Sequence, residues 1–116
     1  MTMRDGPDDA AQLRAAEALA QLEAAKGKRF IELFKHGSLA VEYYAPRGTD
    51  PQTPHSRDEL YMITSGHGVF WNGSMRARFQ PGDLIFVAAG VPHRFEEFSD
   101  DFGTWVMFYG PEGGEG

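Results

Sequence analysis

The sequence predicts an all-β protein, a double-sheet or closed barrel of short strands preceded by one short α-helix. Three observations lead there. From Phe30 onward the apolar residues recur with a period of two, in short runs rich in β-branched and aromatic side chains. Turn residues punctuate those runs, and the 116-residue chain holds 14 glycines, about twice the usual share. Helical spacing is confined to the segment before Gly27.

Residues 1–7 are polar and unpatterned and are expected to be flexible. Asp8 or Asp9 is placed to cap a helix running to Lys26, because the segment is rich in Ala, Leu, Glu and Gln and lacks internal Gly or Pro. Gly27 ends it, giving a helical unit over 8–27. Ala15, Leu19 and Leu22 form a narrow apolar stripe expected to pack on the barrel or on a second subunit. The barrel then spans 28–110. Its expected strands are Phe30 to Phe34, Leu39 to Tyr44, Glu59 to Thr64, Gly68 to Trp71, Met75 to Phe79, Leu84 to Val87, His93 to Phe95 and Thr104 to Tyr109. The turns at His36-Gly37-Ser38, Ser65-Gly66-His67, Asn72-Gly73 and Pro81-Gly82-Asp83 separate them, and Asn72-Gly73 is the strongest hairpin signal. Asp100-Asp101 reads as a further turn. Phe79, Phe86, Trp105, Met107 and Phe108 have the bulk of a barrel core or a dimer face. Residues 111–116, rich in Gly and Glu, are expected to be a flexible tail or to lie across a neighbour.

Composition narrows the partners. A formal net charge of −6 with no basic stripe argues against nucleic acid and anionic membranes. The absence of cysteine excludes disulfides and thiolate metal sites, so a metal must be held by His, Asp or Glu, and it favours the cytoplasm. The acidic N-terminus does not read as a signal peptide, and the longest apolar run, Leu84 to Ala89, is too short to span a bilayer.

Of the four histidines, His36 and His67 sit in Gly-flanked turns and read as solvated turn residues. His55 differs, because Glu59 follows four residues later. In an extended chain, residues 55, 57, 59, 61 and 63 share one face, which brings an imidazole and a carboxylate together. Arg57 and Tyr61 stand on that same parity, as do Ile63 and, beside His93, Phe95. An inward guanidinium at Arg57 needs an anionic partner, either a substrate carboxylate or a nearby Asp or Glu. No phosphate loop, H-E-x-x-H helix or G-x-S-x-G elbow competes.

The stretch from His55 to His93 resembles the cupins. Their first motif, G-x5-H-x-H-x(3 or 4)-E-x6-G, is met from its second histidine by His55, Glu59 and Gly66. Their second, G-x5-P-x-G-x2-H-x3-N, is met in register by Gly82, Ala88, Gly90, His93 and Glu97, with Ala and Glu replacing the usual Pro and Asn. Fifteen residues separate Gly66 from Gly82, a compact inter-motif hairpin. The resemblance, over about Phe30 to Tyr109, implies a double-stranded β-helix, the jelly-roll barrel. It makes His55, Glu59 and His93 metal ligands pointing inward. Thr53 stands where the family normally has its first histidine, which implies three protein ligands with open positions, or a fourth from Gln52 if the strand is locally shifted. A divalent transition metal is the expected cofactor, and Fe, Mn, Zn, Ni and Cu all suit two imidazoles and a carboxylate. The alternative is that the three are polar barrel residues paired by hydrogen bonds.

Two functions follow as expectations. The first is an enzyme of oxygenase, isomerase or lyase type acting on a small organic substrate, with Arg57 or Tyr61 binding an anion or supplying a proton. The second is a small-ligand-binding or sensing module without turnover, and a structural dimer with a vestigial pocket is a weaker third. A homodimer is expected, since family barrels commonly pair and the edge near Phe30 to Phe34 would otherwise be bare.

Overall fold

Strand alternation distributes the side chains over the two faces of one large sheet, and both faces are then covered. The computed structural model describes residues 10–115. It contains α1 (Ala15–Ala24), β1 (Phe30–His36), β2 (Leu39–Tyr44), β3 (Asp58–Ser65), β4 (Gly68–Trp71), β5 (Arg76–Phe79), β6 (Leu84–Val87), β7 (Arg94–Glu96) and β8 (Gly103–Tyr109). Five strands form a sheet in the order β1-β2-β8-β3-β6 and three form a second in the order β5-β4-β7. All the pairings are antiparallel. The last strand is thus inserted between β2 and β3, the long-range crossing of a jelly roll. No helix among the described residues is long and apolar enough to cross a membrane.

The main core lies between the sheets. Tyr44, Tyr61, Ile63, Val87 and Val106 project from the large sheet onto Phe70, Phe79 and Phe95 of the small one, with Phe102 beside them. Phe95 is the hub, its ring centroid 4.9 Å from Tyr61, 5.0 Å from Phe70, 5.3 Å from Phe79 and 4.7 Å from Phe102. Truncating such a ring to alanine costs about 3–5 kcal/mol. On the opposite face of the large sheet, Ala18 and Leu22 of α1 cover Ile31, Leu33, Tyr43, Ala45 and Trp105. The expected stripe of Ala15, Leu19 and Leu22 therefore packs on the barrel's own outer face. Of the bulky residues read as core or dimer face, Phe79 is buried, Phe108 is packed against the core, and Phe86 is 55% exposed on the outer side of β6.

Several boundaries differ from expectation. The helix is shorter than 8–27: it begins after Arg14, which is extended and makes no side-chain cap, and it ends at Ala24. The expected caps Asp8 and Asp9, with residues 1–7, lie outside the described residues. Ala10, Ala11 and Leu13 are non-helical and line an outer-face cavity with Phe34, Met62, Trp105 and Met107. Of the three only Leu13 is half-buried, and its burial against the sheet outweighs the helix propensity of the segment. Residues 111–115 are not free either. The Gly113 N–H bonds to the Ser56 carbonyl at 2.7 Å, and the Glu115 N–H bonds to Asp58 Oδ2 at 2.9 Å. The polar tail thus packs by backbone hydrogen bonds, which composition does not reveal.

Two motif positions gain a physical reason. Gly66 has φ +83°, and a Cβ there would meet the Phe102 backbone at 2.5 Å, so this turn is closed to every other residue. Glu97, in place of the family's asparagine, is the one non-glycine described residue with positive φ, at 49°. Asparagine adopts that region at lower cost than glutamate.

Candidate metal centre

Register places the site. Glu59 and Tyr61 lie on the inward parity of β3, Glu59 opposite Phe108 and Val87, Tyr61 opposite Val106 and Ile85. His93 immediately precedes β7, one residue later in strand onset than expected. His55 belongs to no strand, because β3 begins only at Asp58. The segment 51–57 is irregular, and the His55 carbonyl is held by the Gly90 N–H at 2.8 Å. That bond ties the loop carrying His55 to the loop leading into His93.

The three expected ligands converge. One donor atom from each of His55, Glu59 and His93 lies within 4.8 Å of the others. His93 Nε2 is 3.0 Å from Glu59 Oε1, and His55 Nε2 is 4.0 Å from the same oxygen. Donor atoms sharing one first-row metal, bound at about 2.1 Å, are separated by about 3.0–4.2 Å, so the spacing suits a single ion. His93 Nδ1 lies 2.9 Å from the Val91 carbonyl, which requires a proton on Nδ1 and leaves Nε2 free to face inward.

Electrostatics favour a cation there. Glu59 is 1% exposed, and neither of its carboxylate oxygens makes a well-formed hydrogen bond, the His93 imidazole and the Tyr61 hydroxyl being its polar neighbours. A buried carboxylate without a partner is costly. Burial by itself lowers the His93 pKa, but the Glu59 carboxylate, the Val91 carbonyl and Asp50 together raise it above the ordinary value. The site thus favours positive charge, and the residues present fit a divalent metal: two imidazole nitrogens and one carboxylate, with no thiolate.

Gln52 and Tyr61 complete the surroundings. The Gln52 amide donates to Asp50 Oδ2 at 2.6 Å, which turns Oε1 toward the cluster, 3.2 Å from His55 Nε2. The Tyr61 hydroxyl donates to the same Oε1 at 3.1 Å and lies 2.9 Å from His93 Nε2. Burial, then the Glu59 charge, pushes the Tyr61 hydroxyl well up, so it keeps its proton. Thr53 is exposed and lies outside the site cavity. The side chain that comes beside the cluster is that of its neighbour, Gln52.

Arg57 is not brought to the site. Its Nε donates to the Gly110 carbonyl at 3.0 Å, and it does not line the cavity. Strand parity does not reach it, since residue 57 precedes β3. His36 and His67 are exposed in their turns and stand apart from the cluster.

Two site residues escaped sequence reasoning. Asp50, 4% exposed, accepts hydrogen bonds from the Tyr44 hydroxyl, the Gln52 amide and the Phe95 N–H, linking the orientation of Gln52 to the core hub. Glu42 lines the cavity over the cluster, about 570 Å³ in volume, with Phe30, Tyr44, Gln52, His55, Glu59, Tyr61, Val106 and Phe108 on its walls. Burial, then Glu32 and Glu59, raises the Glu42 pKa to about 7. A charged residue in mid-strand was the available signal.

A family model described as the cupin domain matches residues 40–109. The chain is 32% identical over 91 residues to the uncharacterized protein SCO3923 of Streptomyces coelicolor, covering 77% of this chain and 87% of that one. Among solved structures it resembles the cupin-2 domain protein of Shewanella frigidimarina, at TM-score 0.63 and 10% identity over 79% of this chain and 92% of the other. It also resembles the DMSP lyase DddQ of Ruegeria pomeroyi, at TM-score 0.60 and 28% identity, over 70% of this chain but 46% of the lyase.

Proposed function

Because the chain belongs to the cupin family, we propose that it is a metal-dependent enzyme acting on a small organic substrate inside the barrel. The observation that carries this reading is the buried Glu59 carboxylate, without a well-formed hydrogen bond and flanked by two imidazole nitrogens at the floor of a cavity. His55, Glu59 and His93 would hold a divalent transition metal, with Fe, Mn, Zn, Ni and Cu all compatible, and Gln52 Oε1 stands beside them as a fourth donor. When bound, such a metal supplies Lewis acidity toward a substrate oxygen or, for a redox-active ion, oxygen activation. Tyr61 holds a proton at the cluster, within reach of a group bound there. Phe30, Tyr44, Val106 and Phe108 furnish apolar wall that displaces water. Lyase chemistry has the support of the DddQ likeness, and oxygenase or isomerase chemistry uses the same donor set.

A small-ligand-binding module without turnover is the second reading. One observation favours it: the Tyr61 hydroxyl is already engaged by Gln52 and His93. We further propose a cytoplasmic homodimer, supported by the cysteine-free composition and by the exposed edge strand β1, whose Phe30 is 53% exposed.

The test is elemental analysis of untagged protein from metal-replete medium, beside His93→Ala, followed by NMR screening of the loaded protein against small organic acids, alcohols and amines. Near-stoichiometric metal lost in the variant, with turnover of one compound, supports the enzyme. Saturable binding without turnover supports the module. No metal after reconstitution refutes both metal readings. Light scattering that returns a monomer overturns the dimer.

A further inference from the structure

The cavity over the metal cluster contains a second carboxylate that the proposed function does not use. Glu42 lies opposite Val106, which in turn lies opposite Tyr61, so Glu42 and Tyr61 share one row across β2, β8 and β3. Two strand spacings, about 9.5 Å, separate β2 from β3, so Glu42 stands beside the cluster on the same face of the sheet without joining it. It lies outside the three-residue donor group.

No hydrogen bond or ion pair among the described residues engages the Glu42 side chain. The charges that act on it, Glu32 opposite it on β1 and Glu59, are both negative. At the cluster Glu59 is itself almost fully buried, with both oxygens lacking a well-formed hydrogen bond and aimed into the same space. Lys28 and Arg29 also line the cavity, but both are exposed at its rim, where water screens them. The Glu42 end of the cavity is therefore negative, with no cation lining it short of the rim, and a contact to Glu42 is worth more than one to the rim cations.

We infer that Glu42 selects the substrate, receiving a protonated amine at one end of a small amphoteric molecule whose oxygen end faces His55, Glu59 and His93. The two strands stand about 9.5 Å apart. An amine–carboxylate contact of about 2.8 Å at one end and a metal–oxygen bond of about 2.1 Å at the other leave about 5 Å between the amine and the oxygen, the span of a chain of three or four carbons. An anionic group would be drawn to the rim and repelled by Glu42. The assignment rests on the metal reading for the oxygen end only, since the amine contact is made by the protein alone.

The experiment uses three matched probes, 4-aminobutan-1-ol, butane-1,4-diol and 4-hydroxybutanoate, with dissociation constants from ligand-detected NMR at about pH 8, where Glu42 is ionised and the amine protonated. Each is titrated into metal-loaded and chelator-treated protein, and into E42Q and E42K, with metal content measured on the same samples. The amine should bind about tenfold tighter than the diol, the margin of a charge-assisted hydrogen bond over a neutral one. Glu42→Gln should abolish that preference, and Glu42→Lys should transfer it to the hydroxy acid. Equal binding of the three, tightest binding of the hydroxy acid by the parent, a preference that survives E42Q, or no binding at all would each overturn the assignment. Stoichiometric metal without amine preference sinks the role of Glu42 alone. Amine preference in protein that takes up no metal sinks the metal reading alone.

Discussion

Replacing Glu59 by Gln should change the sign of its effect on stability according to whether metal is present. In metal-free protein the carboxylate is 1% exposed with no well-formed hydrogen bond on either oxygen, and its nearest electrostatic support is His93, 3.0 Å away. An unsatisfied buried polar group costs about 1–3 kcal/mol, and more when charged. The amide is isosteric and brings the donor that the pair lacks, an N–H for His93 Nε2. Glu59→Gln should therefore stabilise the metal-free protein by about 1–2 kcal/mol, the neighbouring His93 having already offset part of the cost. With metal the argument reverses, because the amide is a poor ligand and linkage is lost. At a free metal concentration one hundred times the dissociation constant, that linkage is about 2.7 kcal/mol. The assay is calorimetric unfolding of parent and variant, once in chelator and once in excess metal, where 1 kcal/mol moves the midpoint by about 4–8 °C for a domain of this size. A variant destabilised equally in both conditions would refute the reasoning, since Glu59 would then be a structural partner and not a ligand.

Three further outcomes are expected. Glu97→Asn should stabilise by about 0.5–1 kcal/mol, because asparagine occupies the positive-φ position at lower cost, and urea unfolding of parent and variant measures it. Gly66→Ala should cost about 3 kcal/mol or more and Gly82→Ala about 1 kcal/mol, since both have positive φ but an added methyl at Gly82 meets no atom within 4 Å; equal losses would show that the Phe102 contact is inconsequential. Glu42 has a folded pKa of about 7 against an ordinary value of 4.5, so the native state disfavours its carboxylate. That penalty is absent below about pH 4.5 and complete above about pH 7, so metal-free stability should fall as pH rises through this window. The decline attributable to Glu42 should be about 1–2 kcal/mol after allowance for solvent screening. His93, also raised, adds a loss of the same sign as pH rises through its folded value, so the parent must be compared with Glu42→Gln across the window; parallel curves would remove Glu42 as the source.

Motif spacing proved more informative about the site than strand geometry. The same-face reading of His55 and Glu59 required an extended chain from residue 55, whereas β3 starts at Asp58 and His55 reaches the cluster from a loop. Spacing survives because it records which atoms meet, whatever backbone delivers them. Parity extrapolated beyond a strand end does not, which is why Arg57 was placed facing inward and is found bonded to the Gly110 carbonyl. The boundaries of β2, β4 and β6 were legible because turn residues close both ends of each run.

Glu42 illustrates a different limit. Strand β2 is apolar on both faces, with Tyr43 and Ala45 under α1 and Tyr44 in the inter-sheet core, so its alternation carries no label for inside and outside. The label comes from the helix, whose docking on the outer face fixes Tyr43 outward and thereby turns Glu42 inward. Asp50 was harder still, lying in an irregular segment with no period to read, and its role follows only from the three donors that meet on it. A buried acid in a loop is costly unless such donors exist, so the loop between β2 and β3 is held in place by the polar group it buries. That same acid orients Gln52, and it is the side chain of residue 52, not of residue 53, that turns its oxygen toward His55.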